Sequence, residues 1–323
     1  MNRLLKTSIS VALVALLLWL TDPAEALTRL RDADWRWLLL ACAMLSAQTL
    51  FMAIRWRLTA GRLGLQIGLR QAIGEYYLGQ VLNTTLPGGV IGDAGRAIRT
   101  REGAGMLRAA QAVMIERLAG QIAIFGIASV GLLLALAIPG GLAWPTWTGA
   151  VLAAILAGVT FAAGLGWVAA KGFLDAIRLA LLAKPVWPRQ AVLGIIIASL
   201  NLAAFAACAK ATGTTLSLEA IVTVVPLVLM AMLVPISIAG WGWREGAAAA
   251  LFPVAAADPA AGIAAGVAFG LVILAASLPG LLWPILAPSK PRALTQGHGG
   301  ATPVQWVNDR YPKDRPCRTT SSP

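Results

Sequence analysis

Histidine, cysteine and charged residues are scarce in this chain, and each shortage argues against a class of function. The single histidine, His298, lies in a polar C-terminal stretch, which disfavours a Ser-His-Asp triad and a histidine metal site. The three cysteines, Cys42, Cys208 and Cys317, form no CxxC pair, so we expect neither a disulfide framework nor a zinc site. The glycine-rich stretch 88–92 lacks the Lys-Ser/Thr of a nucleotide loop. We therefore expect no cofactor and no metal.

The shortage of charge also identifies the environment of the chain. Charged residues make up 12% of the 323 residues and apolar residues 58%, whereas a soluble domain carries about 25% charged residues. A soluble fold of this composition would expose too much apolar surface, so we expect an integral membrane protein. The net charge of +12 does not indicate a nucleic-acid partner, because the basic residues flank apolar runs in the positive-inside pattern.

Six apolar runs are candidates for membrane-spanning helices, each of which needs about 20 mostly apolar residues. They are residues 7–20, 37–54, 109–138, 147–170, 192–210 and 263–286. The first run is short, and residues 1–26 also fit a cleaved signal peptide, with Arg3 and Lys6 ahead of the apolar run. Both interpretations place Thr21 outside, so the later topology is the same.

Clusters of basic residues set the predicted orientation. Four clusters after the N-terminal pair belong on the cytoplasmic side, and we expect both termini there. They are Arg55, Arg57, Arg62 and Arg70; Arg96, Arg99, Arg101 and Arg108; Lys171, Arg178, Lys184 and Arg189; and Lys290, Arg292, Arg310, Lys313, Arg315 and Arg318. Residues 71–92 lie between two such clusters and should enter and leave by one face. Residues 216–253 should do the same from the opposite face.

Each of these two segments contains a break. Proline removes a backbone donor and clashes with the preceding turn, while glycine tolerates the bend. The breaks contain Pro87, Gly88, Gly89 and Gly92 in the first segment, and Pro235, Gly240 and Gly242 in the second. The pattern predicts an all-α polytopic membrane protein with six spanning helices and two broken re-entrant hairpins in inverted-repeat halves. The alternative is eight spanning helices that are merely kinked.

The predicted domain organisation follows from the same pattern. Residues 1–286 form the membrane domain, with halves at about 1–138 and 139–286. Residues 287–323 are rich in Pro, Gly, Ser and Thr, and we expect a disordered, basic, cytoplasmic tail. Corresponding interrupted segments in two inverted halves point to a transporter's binding site.

Glu116 and Arg117 lie about two turns inside a long apolar run. A charge at membrane depth costs about 2.5–3.5 kcal/mol on insertion scales, so each is a candidate site residue. Neighbours in sequence do not face each other on a helix, and we expect each to have a partner elsewhere. The small residues Ala112 and Gly120 flank Glu116 and would let another helix approach. The alternative is that both charges only clamp helices together.

A charged pair follows each break: Asp93 and Arg96 after Gly92, and Arg244 and Glu245 after Gly242. A half-helix beginning there would offer free N–H groups to a phosphate or carboxylate, and arginine donates to phosphate in a bidentate manner. Alternatively, Asp93 only caps a helix and Arg96 belongs to the cytoplasmic cluster. We expect Asn83, Thr84 and Thr85 to satisfy freed backbone groups. Glu75 is either an interfacial residue or part of the site. We expect Trp241 and Trp243 to be interfacial anchors.

Three separated motifs resemble one known family. They are Thr-Leu-Pro-Gly-Gly-Val-Ile-Gly-Asp-Ala-Gly-Arg at 85–96, Ile-Glu-Arg at 115–117 and Pro-Ile-Ser-Ile-Ala-Gly-Trp-Gly-Trp-Arg-Glu-Gly at 235–246. In this order, within residues 37–286, they resemble the lysylphosphatidylglycerol synthase transmembrane region, also called the flippase-like domain. The tryptophans of the third motif replace residues that are usually smaller in that family.

The resemblance implies a multi-pass protein of the bacterial inner membrane that moves or handles lipids. In bifunctional members this region flips an aminoacylated phospholipid that a separate soluble domain makes. Only about 37 residues follow the last predicted span here, so we do not expect synthase activity.

The leading functional hypothesis is a lipid flippase, with Arg96 and Arg244 on phosphate and Glu116 and Glu245 balancing charge or binding an amine. An intramembrane enzyme acting on a lipid or polyprenyl substrate, with Asp93 or Glu116 as base, is the first alternative. A non-transporting partner of another lipid-handling protein is the second. The expected partner is a membrane lipid, alongside a homo-oligomeric copy or a lipid-synthesising protein.

Overall fold

The computed structural model describes residues 23–86, 89–137, 141–142, 144, 171–233 and 240–286. Within these ranges the regular structure is helical and no strand occurs, in agreement with the predicted all-α class. Several predicted features lie outside the described residues. They are the runs 7–20 and 147–170, the prolines Pro87 and Pro235, Gly88, and the tail 287–323.

Within these ranges the structure contains eleven α-helices. They are α1 (Pro23–Arg31), α2 (Trp35–Arg62), α3 (Leu69–Thr85), α4 (Ile91–Arg99), α5 (Gly105–Ala137), α6 (Lys171–Ile177), α7 (Trp187–Ala211), α8 (Leu218–Ala231), α9 (Trp243–Leu251), α10 (Pro259–Ser277) and α11 (Trp283–Leu286). A π-helical turn (Arg178–Leu182) follows α6, and 3₁₀ turns (Phe252–Ala255 and Leu278–Leu282) flank α10. Two starts are capped by side chains: Asp34 accepts from the Arg36 N–H, and Ser217 from the Ala220 N–H.

Four helical stretches are long and apolar enough to cross a bilayer. They are Trp35–Arg62, Gly105–Ala135, Trp187–Ala211 and Pro259–Leu286. These stretches overlap four of the six predicted spans, and the other two fall outside the described residues. Helix α2 runs eight residues beyond the predicted end at Ile54, so it carries Arg55 and Arg57 within the helix rather than after it.

Both predicted breaks interrupt a helix. Helix α3 ends at Thr85 and α4 begins at Ile91, with Gly89 at φ 63° between them. Helix α8 ends at Ala231 and α9 begins at Trp243, preceded by Gly240 at φ 78° and Gly242 at φ 89°. A side chain is strained at such positive φ values, which is why glycine occupies these positions. The assignment of each pair as a re-entrant hairpin stays a prediction.

Helices α2 and α7 pack antiparallel and join the two halves. The Asp34 N–H donates to the Ala211 carbonyl (3.0 Å), and the Gln190 amide donates to the Thr59 hydroxyl (3.1 Å). One apolar core lies among α7, α8, α9 and α10 around the rings of Phe205, Phe252 and Phe269. A second core lies among α2, α3 and α5.

Candidate functional site

A cavity of about 1010 Å³ lies among helices from the N-terminal and the C-terminal parts of the described chain. Helices α2, α3, α4 and α5 of the first half and α7, α8 and α10 of the second line it, together with the residues around the start of α9. Five of the six charged residues predicted for the site are among the lining residues: Asp93, Arg96, Glu116, Arg117 and Arg244. Glu245 is buried and does not line the cavity.

Glu116 is the centre of the charged cluster. Its side chain lies on α5, fully buried, and its Oε1 accepts from Arg55 Nη2 of α2 at 2.8 Å. Its Oε2 accepts from the Tyr76 hydroxyl of α3 at 3.1 Å and lies 3.5 Å from Arg96 Nη2 of α4. One carboxylate thus connects four helices.

Asp93 extends this cluster to the rim of the cavity. Its Oδ1 accepts from Arg96 Nη2 at 2.9 Å, and its Oδ2 is ion-paired with Arg117 Nε. As expected, Glu116 and Arg117 do not pair with each other. The five side chains Arg55, Glu116, Arg96, Asp93 and Arg117 form what we call the ionic chain. The Arg117 side chain is 45% exposed, whereas Arg55 and Arg96 are 1% exposed.

Arg96 has donor groups that the described residues leave unused. Its guanidinium carbon lies 4.5 Å from the Trp56 ring centre and 4.3 Å from that of Tyr76, which are cation–π distances. Its Nε and Nη1 atoms are buried and have no hydrogen-bond partner in the described part of the chain. The ionic chain holds three guanidiniums and two carboxylates, so it carries one net positive charge. A buried, incompletely paired cation of this kind is stabilised by an anion.

The second half places its arginine differently. Arg244 Nε donates to Glu245 Oε1 at 3.0 Å, and Arg244 Nη2 contacts the same oxygen. Glu245 Oε2 accepts from the Gly242 N–H at 2.7 Å. The Arg244 guanidinium lies 4.9 Å from the Trp241 ring centre. Trp241, predicted as an interfacial anchor, instead packs on Arg244 and lines the cavity.

The predicted free N–H groups at the two helix starts are taken. The Gly92 N–H donates to Asn83 Oδ1 at 2.7 Å, and the Gly242 N–H donates to Glu245. Asn83 therefore has the backbone-satisfying role predicted for it, and Thr84 and Thr85 donate to backbone carbonyls of α3. The expectation that helix N-termini hold the anion is wrong for these two N–H groups. Among the described residues, the buried donors without a partner include two nitrogens of Arg96 together with Arg55 Nη1 and Trp56 Nε1.

Sequence reasoning missed Arg55, Trp56 and Tyr76. Arg55 was assigned to a cytoplasmic cluster, but α2 continues past it and buries it against Glu116. The signal was present in Gly120: a Cβ there would lie 2.9 Å from Arg55 Nη2, so the small residue leaves room for the guanidinium. Trp56 and Tyr76 read as ordinary apolar helix residues, and only the folded chain places them on Arg96.

Glu75 forms an ion pair with Arg99, and neither residue lines the cavity. Its Oε2 accepts from Arg99 Nε at 2.6 Å, and its Oε1 accepts from the Trp283 indole N–H at 3.3 Å. The Trp283 ring occupies the space where a side chain on Gly74 would lie. Glu75 is therefore a buried contact between α3 and α11. Among the described residues, no group of three or more His, Cys, Asp or Glu side chains is placed to hold a metal ion.

Comparison with known proteins defines the class. The chain belongs to the family described as the lysylphosphatidylglycerol synthase TM region, which it matches over residues 4–280. A comparison with curated proteins gave no match. The family and the four long apolar stretches together identify a membrane-embedded, multi-pass helical protein.

Proposed function

We propose that this protein is a lipid flippase that binds an anionic lipid headgroup in the cavity and moves it between leaflets. The observation that carries the proposal is Arg96: a buried guanidinium beside the cavity with two unpartnered nitrogens, in a cluster with one net positive charge. Phosphate suits this position because it accepts several hydrogen bonds from a guanidinium and neutralises the excess charge.

The walls of the cavity suit the rest of a lipid. Met114 and Leu118 of α5 and Leu233 after α8 line the cavity and are themselves exposed. Exposed apolar lining allows acyl chains to stay in the bilayer while the headgroup enters the polar interior. The volume of about 1010 Å³ lies at the upper end of the range for small-ligand sites.

Each member of the ionic chain has a role in this proposal. Arg117, at the exposed end, makes the first contact with the headgroup. Arg96 holds the phosphate at depth, and Glu116 orients Arg96 while neutralising Arg55. Asp93 competes with the phosphate for Arg96, so release of the headgroup restores an existing ion pair rather than leaving a bare cation.

In this proposal the protein acts in the bacterial inner membrane and moves lipid without changing it chemically. The basic clusters favour both termini on the cytoplasmic side of a bacterial inner membrane. The partner is a membrane lipid, and the chain acts without catalysis, alone, as a homo-oligomer or beside a lipid-synthesising protein.

The test is lipid movement in liposomes that contain the purified full chain and fluorescent phosphatidylglycerol. We expect label to cross leaflets faster than in protein-free liposomes, and Arg96→Ala to abolish the gain. Arg108→Ala is the matched control, since this exposed arginine does not line the cavity. Arg96→Lys, which keeps the positive charge, is tested as well in case Arg96→Ala does not fold. Equal rates with and without protein would overturn the proposal, and a chemically altered lipid in mass spectra would favour an enzyme.

A further inference from the structure

A second cavity, which we call the basic groove, lies at one end of the α2–α7 pair. Its volume is about 1190 Å³, and it is lined by residues 54–68 of α2 and the following loop and by residues 188–193 of α7. None of its lining residues lines the central cavity. The groove is therefore a separate site.

The charge of the groove has one sign. Arg57, Arg62 and Arg189 line it, and no aspartate or glutamate does. All three arginines are exposed, and none forms an ion pair with a carboxylate of the described residues. Arg57 Nε donates to the Ile67 carbonyl at 3.1 Å, which fixes this guanidinium at the loop. Three arginines without a carboxylate favour a phosphate-bearing ligand.

The groove also has an apolar wall, and its position relative to the arginines is defined. Ile54 lies one turn before Arg57 on α2, and Val192 lies one turn after Arg189 on α7. Because the two helices are antiparallel, the arginines lie at one end and both apolar side chains lie toward the middle of the helices. Ile54 and Val192 are 39% and 55% exposed, so the wall is available to a ligand.

We propose that the basic groove binds one anionic phospholipid that is retained rather than transported. The phosphate lies among Arg57, Arg62 and Arg189, and an acyl chain lies along Ile54 and Val192. Basic pockets between membrane helices on the cytoplasmic side bind anionic headgroups in this way. The inference goes beyond lipid movement and does not depend on it.

The experiment is photo-crosslinking of the full chain in phosphatidylcholine vesicles that contain a minor fraction of phosphatidylglycerol with a photoactivatable acyl chain. Peptide mapping should find label around Ile54 and Val192. The matched probe is phosphatidylcholine with the same acyl chain, which should label these peptides about tenfold less. The combined variant Arg57→Gln, Arg62→Gln, Arg189→Gln should lose the labelling by phosphatidylglycerol to a similar extent.

The controls distinguish binding in the groove from a general attraction of anionic lipid to positive charge. The combined variant Arg70→Gln, Arg101→Gln, Arg108→Gln removes the same charge from exposed positions outside both cavities and should leave the labelling unchanged. The double variant Arg62→Gln, Arg189→Gln keeps the Arg57 hydrogen bond and should still reduce the labelling. Equal labelling by both probes, competition by millimolar inorganic phosphate or a soluble acidic peptide, or labelling unchanged in the groove variants would overturn the proposal. Loss of lipid movement with retained groove labelling would affect only the flippase proposal.

Discussion

Two arginines that follow the two breaks, Arg96 and Arg244, resemble each other in burial and in their aromatic neighbours but not in their charge environment. Both are 1% exposed and both lie over aromatic rings. Arg96 belongs to a five-membered cluster with an excess positive charge and unused donors, whereas Arg244 is neutralised by Glu245. The same local motif therefore leaves two nitrogens of Arg96 without a partner among the described residues, whereas Arg244 forms a closed pair with Glu245.

The difference arises from where each carboxylate can reach. Glu245 lies in the first turn of α9 and binds both the Gly242 N–H and Arg244, so the pair is complete within four residues. Asp93 precedes Arg96 by one turn of α4 and is shared with Arg117 of α5. Partners from several helices cannot satisfy every nitrogen of Arg96, and this leaves capacity for a ligand.

The largest expected effect is on stability, from Glu116→Gln. The substitution leaves Arg55 and Arg96 buried without their shared carboxylate, and loss of one partner of a buried pair costs about 3–5 kcal/mol. Thermal unfolding in detergent should show a strongly lowered midpoint. Asp175→Asn, at an exposed position of α6, is the control and should change stability by less than about 0.5 kcal/mol. Similar midpoints for the two variants would contradict the central place of Glu116.

Lysine substitutions at Arg96 and Arg244 should affect lipid movement to different extents. Arg96→Lys removes the fork that donates to phosphate and the stacking on Trp56 and Tyr76, so lipid movement should fall by about tenfold or more. Arg244→Lys keeps a cation beside the buried Glu245, so the pair is not broken and movement should fall by about threefold or less. The measurement is the initial rate in proteoliposomes at matched protein content. Equal losses would show that the halves share the binding role.

A smaller effect concerns the packing of the first break. In Gly92→Ala the new methyl group would overlap the Gly79 carbonyl, so α3 and α4 must separate, at a cost of about 1–3 kcal/mol. Gly126→Ala on α5 is the control, because no atom lies within 4 Å of the added Cβ. Unfolding midpoints measure both. A midpoint for Gly92→Ala at or above that of the control would mean that this contact is not required.

The smallest expected stability effect is that of Arg117→Gln. The Arg117 side chain is 45% exposed, so we expect its ion pair with Asp93 to contribute less than the buried pairs of Glu116, about 0–1 kcal/mol. Its loss should instead slow lipid capture, seen as a weaker dependence of the initial rate on the fraction of anionic lipid. A large drop in the unfolding midpoint would place Arg117 with the buried members of the cluster.

Sequence reasoning found the elements that depend on local patterns. Apolar length predicted the long helices, and Pro and Gly predicted both interruptions. The separation of Glu116 from Arg117 followed from helical geometry. The partners of these charges could not be read in the same way, because Arg55 and Tyr76 are 61 and 40 residues from Glu116.

The remaining misjudgements have physical causes. Placing the end of the second span at Ile54 moved Arg55 out of the membrane by one residue, whereas a guanidinium with a buried carboxylate partner allows the helix to continue. The direct pairing of Arg244 with Glu245 was missed because adjacent helical residues point apart, but the long arginine side chain folds back over the first turn of α9.

The double use of the Asp93 carboxylate couples the rim of the cavity to its interior. One oxygen binds Arg117 and the other binds Arg96. In the proposed transport mechanism, an anion that draws Arg117 away from Asp93 would change the contact of the same carboxylate with Arg96, so anion capture at Arg117 would be coupled to the freeing of Arg96. Asp93 would then couple the movement of Arg117 to that of Arg96, and the length of its side chain would set how far a displacement of Arg117 displaces Arg96.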